Sequence, residues 1–313
     1  MSDKSFLRNV IGEYMSELGA RYKDIVIVNA DLAGTCRNKS FAEKYPERSF
    51  NTGIAEQNMV SFGAGLACEG FKPYVFSMAP FLTMRACEQC RTDVAYGNRD
   101  VKMIGVYAGL SGGISGATHW AIEDCGIMTS MPNVVVFEIS DVIQTKRILD
   151  YTALHHGPMY IRSSVEPTLN IYDEGIEIKA GGSLEVKAGN DGVFLCAGVV
   201  VQYALEAANN IKENTGKNIR VVDMYSIKPV DEEAVIRAAE TGRIVVVQDH
   251  NIYGGLGTMV AKVIAENNLN TKFMNVGVKD EFVAMAHANY LYHYFGMDAE
   301  GLERTMLDLL RED

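Results

Sequence analysis

Phe6, Val10, Tyr14 and Leu18 recur at a helical spacing and lay one apolar face along the start of the chain. The run DIVIVNADLAG that follows is continuously apolar and closed by turn-formers, the signature of a strand buried on both faces. SFNTGIAEQNMVSFGAGLACEG then passes from a short strand through Gly53 into a helix. Its small residues Gly63, Ala64, Gly65 and Ala67 allow close approach of a neighbouring element. KPYVFSMAPF reads as a strand, LTMRACEQCRTDVAYG as a helix and VKMIGVYAG as a strand. The loop LSGGISGATH, a helical turn through AIEDCGIMTSM, the strand NVVVFEIS, the helix DVIQTKRILDYTALHH and the strand GPMYIRSS complete the series.

From about Val165 to Asn190 the pattern gives way to short strand-like pieces rich in turn residues, which reads as a linker. Beyond it the βα alternation resumes: GVFLCAG, VQYALEAANNI, IRVVDMY, DEEAVIRAAE, RIVVVQDH, GGLGTMVAKVIAEN and KFMNVGV. The pattern predicts an α/β chain of two domains: a doubly wound, mostly parallel sheet over residues 1–170, a linker over 171–190 and a smaller α/β domain over 191–313.

Composition narrows the function without naming it. A net charge of −11 over 313 residues disfavours a nucleic-acid backbone as partner and leaves any anionic ligand to a few local cations. No apolar run reaches the roughly 18 residues of a membrane span, and MSDKSFLRNV lacks the apolar stretch of a signal peptide, so a cytoplasmic location is the expectation. The six cysteines then read as reduced thiols. Cys87 and Cys90 form a lone CxxC within a helix, with no second ligand pair for a metal and no strand-to-helix turn for a redox pair; packing is the better reading.

Three features sit just beyond strand ends, where such sheets place ligands. Glu56 opens a helix, where the dipole alone favours a carboxylate by roughly 0.3–1 kcal/mol; it is equally suited to exchange a proton with a bound heterocycle. The glycine-rich loop Gly112–His119 admits a ligand to its backbone and ends in a histidine able to move protons, or is simply a flexible connector. It lacks the phosphate-cradling GxxxxGK[ST]. Phe81, alone after a strand, reads as core. Gly254-Gly255-Leu256-Gly257 reads as a tight strand-to-helix turn rather than a dinucleotide loop, and His155 and His156 as residues ending a helix.

In order along the chain, NADL, PERSFNTGIAEQNM, AGLACEGFKPYVFSMAPFLTMRACEQ, SGATHWAIED, MPNVVVFEISD, GPMYIRSS and QDHNIYGGLG resemble the C-terminal half of transketolase in organisms that encode the enzyme as two chains. The resemblance runs from about Arg8 to the last strand, and GIAEQNM joined to GATHxxxED is its most specific part. It implies a thiamine diphosphate enzyme, in which the cofactor's thiazolium loses a proton and attacks a ketose carbonyl. Glu56 then matches the glutamate at the pyrimidine ring nitrogen, Phe81 the aromatic stacked on that ring, and Asp31 and Met78 further positions lining the cofactor. His119 matches a histidine that assists proton transfer on substrate oxygens. Arg162, Arg8 and Thr35 match the cations and hydroxyl that hold substrate phosphate.

The chain departs from the family pattern at Ile114 and Ser115, where an acid pair is usual, at Tyr107 in place of a phosphate-contacting histidine, and at Met78 in place of an aromatic. Tyr107 and Ser115 are therefore counted with the substrate-facing residues, and the resemblance implies transfer of a two-carbon unit from an unusual ketose, phosphorylated or otherwise anionic, to an aldose. The family's other half binds Mg²⁺ and the diphosphate through a GDG motif. No GDG occurs here, which implies a separate N-terminal subunit as partner, an α2β2 assembly and no metal ligand in this chain. Two alternatives stay open: the β subunit of a 2-oxo-acid dehydrogenase or acetoin-cleaving complex, and a non-catalytic homologue.

Overall fold

The computed structural model describes residues 4–311. The strands are β1 (Lys4–Ser5), β2 (Ile25–Asn29), β3 (Ser49–Asn51), β4 (Lys72–Met78), β5 (Lys102–Val106), β6 (Val135–Glu138) and β7 (Met159–Ser163). They continue as β8 (Thr168–Leu169), β9 (Leu184–Lys187), β10 (Gly192–Ala197), β11 (Ile219–Asp223), β12 (Ser226–Lys228), β13 (Arg243–Asn251) and β14 (Lys272–Val278).

A seven-stranded sheet has the order β12-β6-β7-β5-β4-β2-β3 and is parallel except for β12 at its edge. Every residue of β2, β5 and β7 is buried, which is why these runs carry no polar alternation. The helices Leu7–Arg21 and Val142–Leu154 cover one face, sealing Ile11, Met15, Leu18, Ile148 and Leu149. Glu56–Cys68 covers the other, where a Cβ at Gly63 would come within 2.7 Å of Val75. Asp141 caps its helix by accepting hydrogen bonds from the amides of Ile143 and Gln144.

The second sheet, β14-β13-β10-β11-β9, is parallel except for β9. Two findings correct the sequence-based outline. β9 lies inside the segment read as linker: Leu184 and Val186 are half-buried there, and pairing with β11 satisfies its backbone. β12, deep in the second half of the chain, pairs with β6 of the first sheet. The two layers are thus stitched by backbone bonds, and one apolar core runs through Val28, Val75, Leu195 and Val246.

The expected single helix over LTMRACEQCRTDVAYG is interrupted. Phe81–Arg85 and Cys90–Ala95 are π-helical, with a short α-turn at Cys87–Gln89 between them. Wide turns of this kind re-aim side chains and concentrate at functional sites. Cys90 is buried, Cys87 half-buried, and all six cysteines are free. The Gly254-Gly255 turn leads into the helix Leu256–Glu266 as read from sequence, Gly254 having φ +76°. Among the described residues no helix is long and apolar enough to cross a membrane.

Candidate functional site at the carboxyl ends of the parallel strands

The carboxyl ends of β2, β3, β4 and β5 bring the candidate residues to one edge of the sheet. After β2, Asp31 adopts φ +60°, and after β5, Tyr107 adopts φ +63°. Non-glycine residues rarely occupy this region, so the surrounding structure must hold them there. Asn51 at the end of β3 holds the Asp31 turn: its Oδ1 accepts the amides of Asp31 and Gly53, each at 3.0 Å, and its Nδ2 donates to Asp31 Oδ1 at 3.2 Å. Gly53, at φ +74°, turns the chain so that Glu56 begins a helix.

Glu56 is 2 % exposed. Both of its oxygens accept hydrogen bonds at 2.9 Å from Nη1 of Arg85, which is half exposed. Arg85 in turn lies 4.4 Å from the centroid of the Phe81 ring. Phe81 meets His119 edge-on at 5.4 Å between ring centroids. Thr118 Oγ1 engages His119 Nδ1 at 2.8 Å, so Nε2 is the ring nitrogen left for proton transfer. Glu56, Arg85, Phe81 and His119 thus form one contiguous string of contacts. Phe81 reads from sequence as core after a strand and Arg85 as part of a regular helix, whereas the structure sets both in one π-helical turn.

Asp31 and Thr35 line a neighbouring cavity of about 480 Å³ with Lys39 and Asn51. Met78 ends β4, half-buried. Arg8 projects toward Tyr107, with Nη1 3.4 Å from the hydroxyl and the guanidinium 5.7 Å from the ring centroid. Its Nε is buried without a hydrogen-bond partner among the described residues. Tyr107 and Ser115 line a second cavity, of about 240 Å³, with Glu166 and His287. His287 comes from the loop after β14, so the second domain reaches this edge. A Cβ at Gly113 would come within 2.2 Å of the Ala286 carbonyl, so the glycine-rich loop needs that residue to seat the second domain's loop.

Arg162 is the clear correction. Matched to a phosphate-holding arginine, it is instead 1 % exposed, beneath the site. Its Nε donates to Asp124 at 2.8 Å, its Nη1 to Glu138, and its Nη2 to the carbonyls of Ala121 and Asp249 at 3.0 and 2.6 Å. Burial pushes the Glu138 carboxyl up while Arg162 and Gln248 draw it back. With its donors committed inside the protein, Arg162 cannot reach a substrate. The motif YIRSS alone could not separate an arginine at a strand end from one turned inward on β7.

Asp249 belongs to the same interior network. Its Oδ1 accepts the Leu110 amide and its Oδ2 the Tyr292 hydroxyl, both at 2.9 Å, and burial pushes it up to about 7. The adjacent His250 is pushed down to about 4 by burial. Among the described residues, Asp124, Cys125 and His250 form a potential metal-ligand grouping. The Arg162 guanidinium on Asp124 makes it a poor cation site.

The string at the strand-end edge fits the pyrimidine half of thiamine diphosphate: a buried carboxylate able to bond a ring nitrogen stands beside an aromatic face and a histidine. Arg85, Glu166 and His287 were missed from sequence. Arg85 stands four residues after Phe81, and the other two carry no motif.

Comparison with known proteins accounts for this arrangement. The transketolase pyrimidine-binding domain matches residues 4–167, and the transketolase C-terminal domain matches residues 181–302. A Methanocaldococcus jannaschii protein described provisionally as a transketolase C-terminal section is 37% identical over 309 residues, covering 98% of this chain and 97% of that one. One of the subunits of apulose-4-phosphate transketolase from Phocaeicola vulgatus is 33% identical over 307 residues, 97% of each chain. A subunit of 6-deoxy-6-sulfo-D-fructose transketolase from a Clostridium species is 33% identical over 304 residues, 97% of this chain and 94% of that one. Among solved structures, a split-gene transketolase in an inactive β4 tetramer superimposes with a TM-score of 0.88 at 33% identity, covering 98% of this chain and 99% of that one. The chain therefore belongs to the transketolase family and spans its pyrimidine-binding and C-terminal domains.

Proposed function

We propose that this chain is the C-terminal subunit of a split, thiamine diphosphate-dependent transketolase, which moves a two-carbon unit from a ketose to an aldose. The observation that carries the reading is Glu56, a buried carboxylate at the strand-end edge, within one string of contacts with Phe81 and His119. The three relatives reported above match along nearly their whole length and are named as transketolase subunits or sections, two of them for phosphorylated or sulfonated sugars.

When bound, the cofactor would supply nucleophilic carbon chemistry at the ketose carbonyl. Glu56 holds or returns a proton at its carboxylate, toward the pyrimidine nitrogen. Phe81 presents an apolar face that excludes water from that ring. His119 moves protons through Nε2 at the substrate oxygens. Asp31, Thr35 and Met78 line the approaches, and Arg8, whose Nε lacks a partner among the described residues, is the cation left for an anionic substrate group.

Mg²⁺ and the diphosphate call for hard oxygen ligands, which we assign to an N-terminal subunit carrying GDG, the two chains forming a cytoplasmic α2β2 heterotetramer. The β4 tetramer named as inactive for a structural relative supports a need for that partner. The test is co-expression with a GDG-bearing partner followed by a thiamine diphosphate-dependent ketose-to-aldose assay. Turnover by the pair and none by this chain alone is the expected result; no turnover by the pair would refute the reading.

A further inference from the structure

The cavity lined by Tyr107, Ser115, Glu166 and His287 carries a charge pattern that a phosphate pocket would not. Glu166 stands on the turn after β7, with its amide held by Ser164 Oγ at 3.0 Å. Burial raises its carboxyl pKa, and His287 and Arg8 draw it back down. Arg8 makes no ion pair among the described residues; it reaches the hydroxyl of Tyr107, which lines this cavity, and its charge acts on Glu166. Arg162, which could have tipped the balance toward an anion, is sealed in the interior.

A phosphate monoester carries about −1.5 to −2 charge near neutral pH. Placed here it would meet Arg8 and His287, but also a partly desolvated carboxylate, and like charges at short range in a half-buried cavity repel strongly. A hydroxyl donates to that carboxylate and accepts from Arg8. A sulfonate, with a single charge, takes Arg8 while leaving Glu166 to a neighbouring hydroxyl.

We propose that Glu166 is a specificity-determining residue that discriminates against a doubly charged phosphate and selects sugars whose far end carries at most one negative charge. The inference rests on the transketolase reading and narrows its substrate class. It also gives the second domain a part in recognition, through His287.

The test uses the reconstituted two-chain enzyme and three ketoses of equal length ending in hydroxyl, sulfonate or phosphate. The wild type should show higher kcat/KM for the first two than for the third. Glu166→Gln should raise the phosphate-to-hydroxyl ratio of kcat/KM at least about tenfold, and Glu166→Asp should keep the wild-type order. A wild type that prefers phosphate, or a folded Glu166→Gln enzyme whose ratio moves less than about twofold, would overturn the proposal. Should the Gln variant not fold, the order of the wild type and Glu166→Asp decides. Wild-type turnover of some ketose separates failure here from failure of the transketolase reading, and absence of turnover on every ketose would sink both.

Discussion

Two carboxylate–arginine groupings, Arg162 with Asp124 and Glu138 and Arg85 with Glu56, differ in how completely the protein satisfies the arginine. Beneath the sheet edge, Arg162, Asp124 and Glu138 are almost wholly buried, and each Arg162 nitrogen has a protein acceptor. At the edge, Glu56 is equally buried but its bonded cation, Arg85, is half exposed and lies across an aromatic ring. A buried cluster whose arginine has every nitrogen paired inside the protein is architecture. A buried carboxylate tied to a half-exposed side chain is the one of the two that the proposed function can use. Resemblance of motif does not distinguish the two, since both arginines stand in matched segments.

The sharpest way to break this comparison is to remove one charge from each. Arg162→Leu leaves Asp124 and Glu138 buried without their counter-charge, and such loss costs about 3–5 kcal/mol. Urea denaturation should show it, and a loss below about 1 kcal/mol would mean the cluster is not architectural. Glu56→Gln sits on the other side: unfolding should shift little, while turnover of the reconstituted pair falls at least about 10²-fold, as expected when a proton-transfer group is lost. Unchanged turnover would remove Glu56 from the chemistry.

The same contrast explains what the sequence disclosed. Strands and helices followed from apolar period because β2, β5 and β7 are buried throughout and their helices are amphipathic. Glu56, Phe81 and His119 were legible through contiguous motifs, and the structure brings them together. Arg162 was misjudged because side-chain direction on an inner strand depends on register, which β7 acquires only between β5 and β6. Glu166 and His287 meet from segments more than a hundred residues apart, a contact no local pattern encodes. β9 looked like linker because its half-buried Leu184 and Val186 alternate with Glu185 and Lys187.

A pH series sharpens the interior half of the comparison. Asp249 titrates near 7 when folded against 3.8 unfolded, so its contribution is greatest at low pH and is lost as pH rises through that window. His250 titrates near 4 when folded against 6.5 unfolded, so its contribution is present above 6.5 and lost as pH falls toward 4. The two oppose one another between about 4 and 6.5. His250→Gln should therefore make stability fall more steeply with rising pH there than in the wild type, by at most about 1.4 kcal/mol per pH unit, and Asp249→Asn less steeply. Parallel curves for all three proteins would show that neither group titrates as its burial implies.

The smallest effect concerns Arg85. It occupies both oxygens of Glu56 and one face of Phe81, the two groups that the cofactor reading assigns to a pyrimidine ring. A ligand that takes those groups must first displace the guanidinium. Because Arg85 is half exposed, solvent screens the pair and reaches Glu56 once the guanidinium is gone, so the interaction is worth about 0.2–1 kcal/mol. Arg85→Ala should thus lower the chain's stability by no more than that. The same energy, no longer opposing entry, should tighten thiamine diphosphate binding to the reconstituted pair by up to about fivefold. Isothermal titration at fixed Mg²⁺ reads the change directly. Weaker binding in Arg85→Ala would mean that the guanidinium stays to hold the ligand, and Arg85 would then belong to the site itself rather than to its resting state.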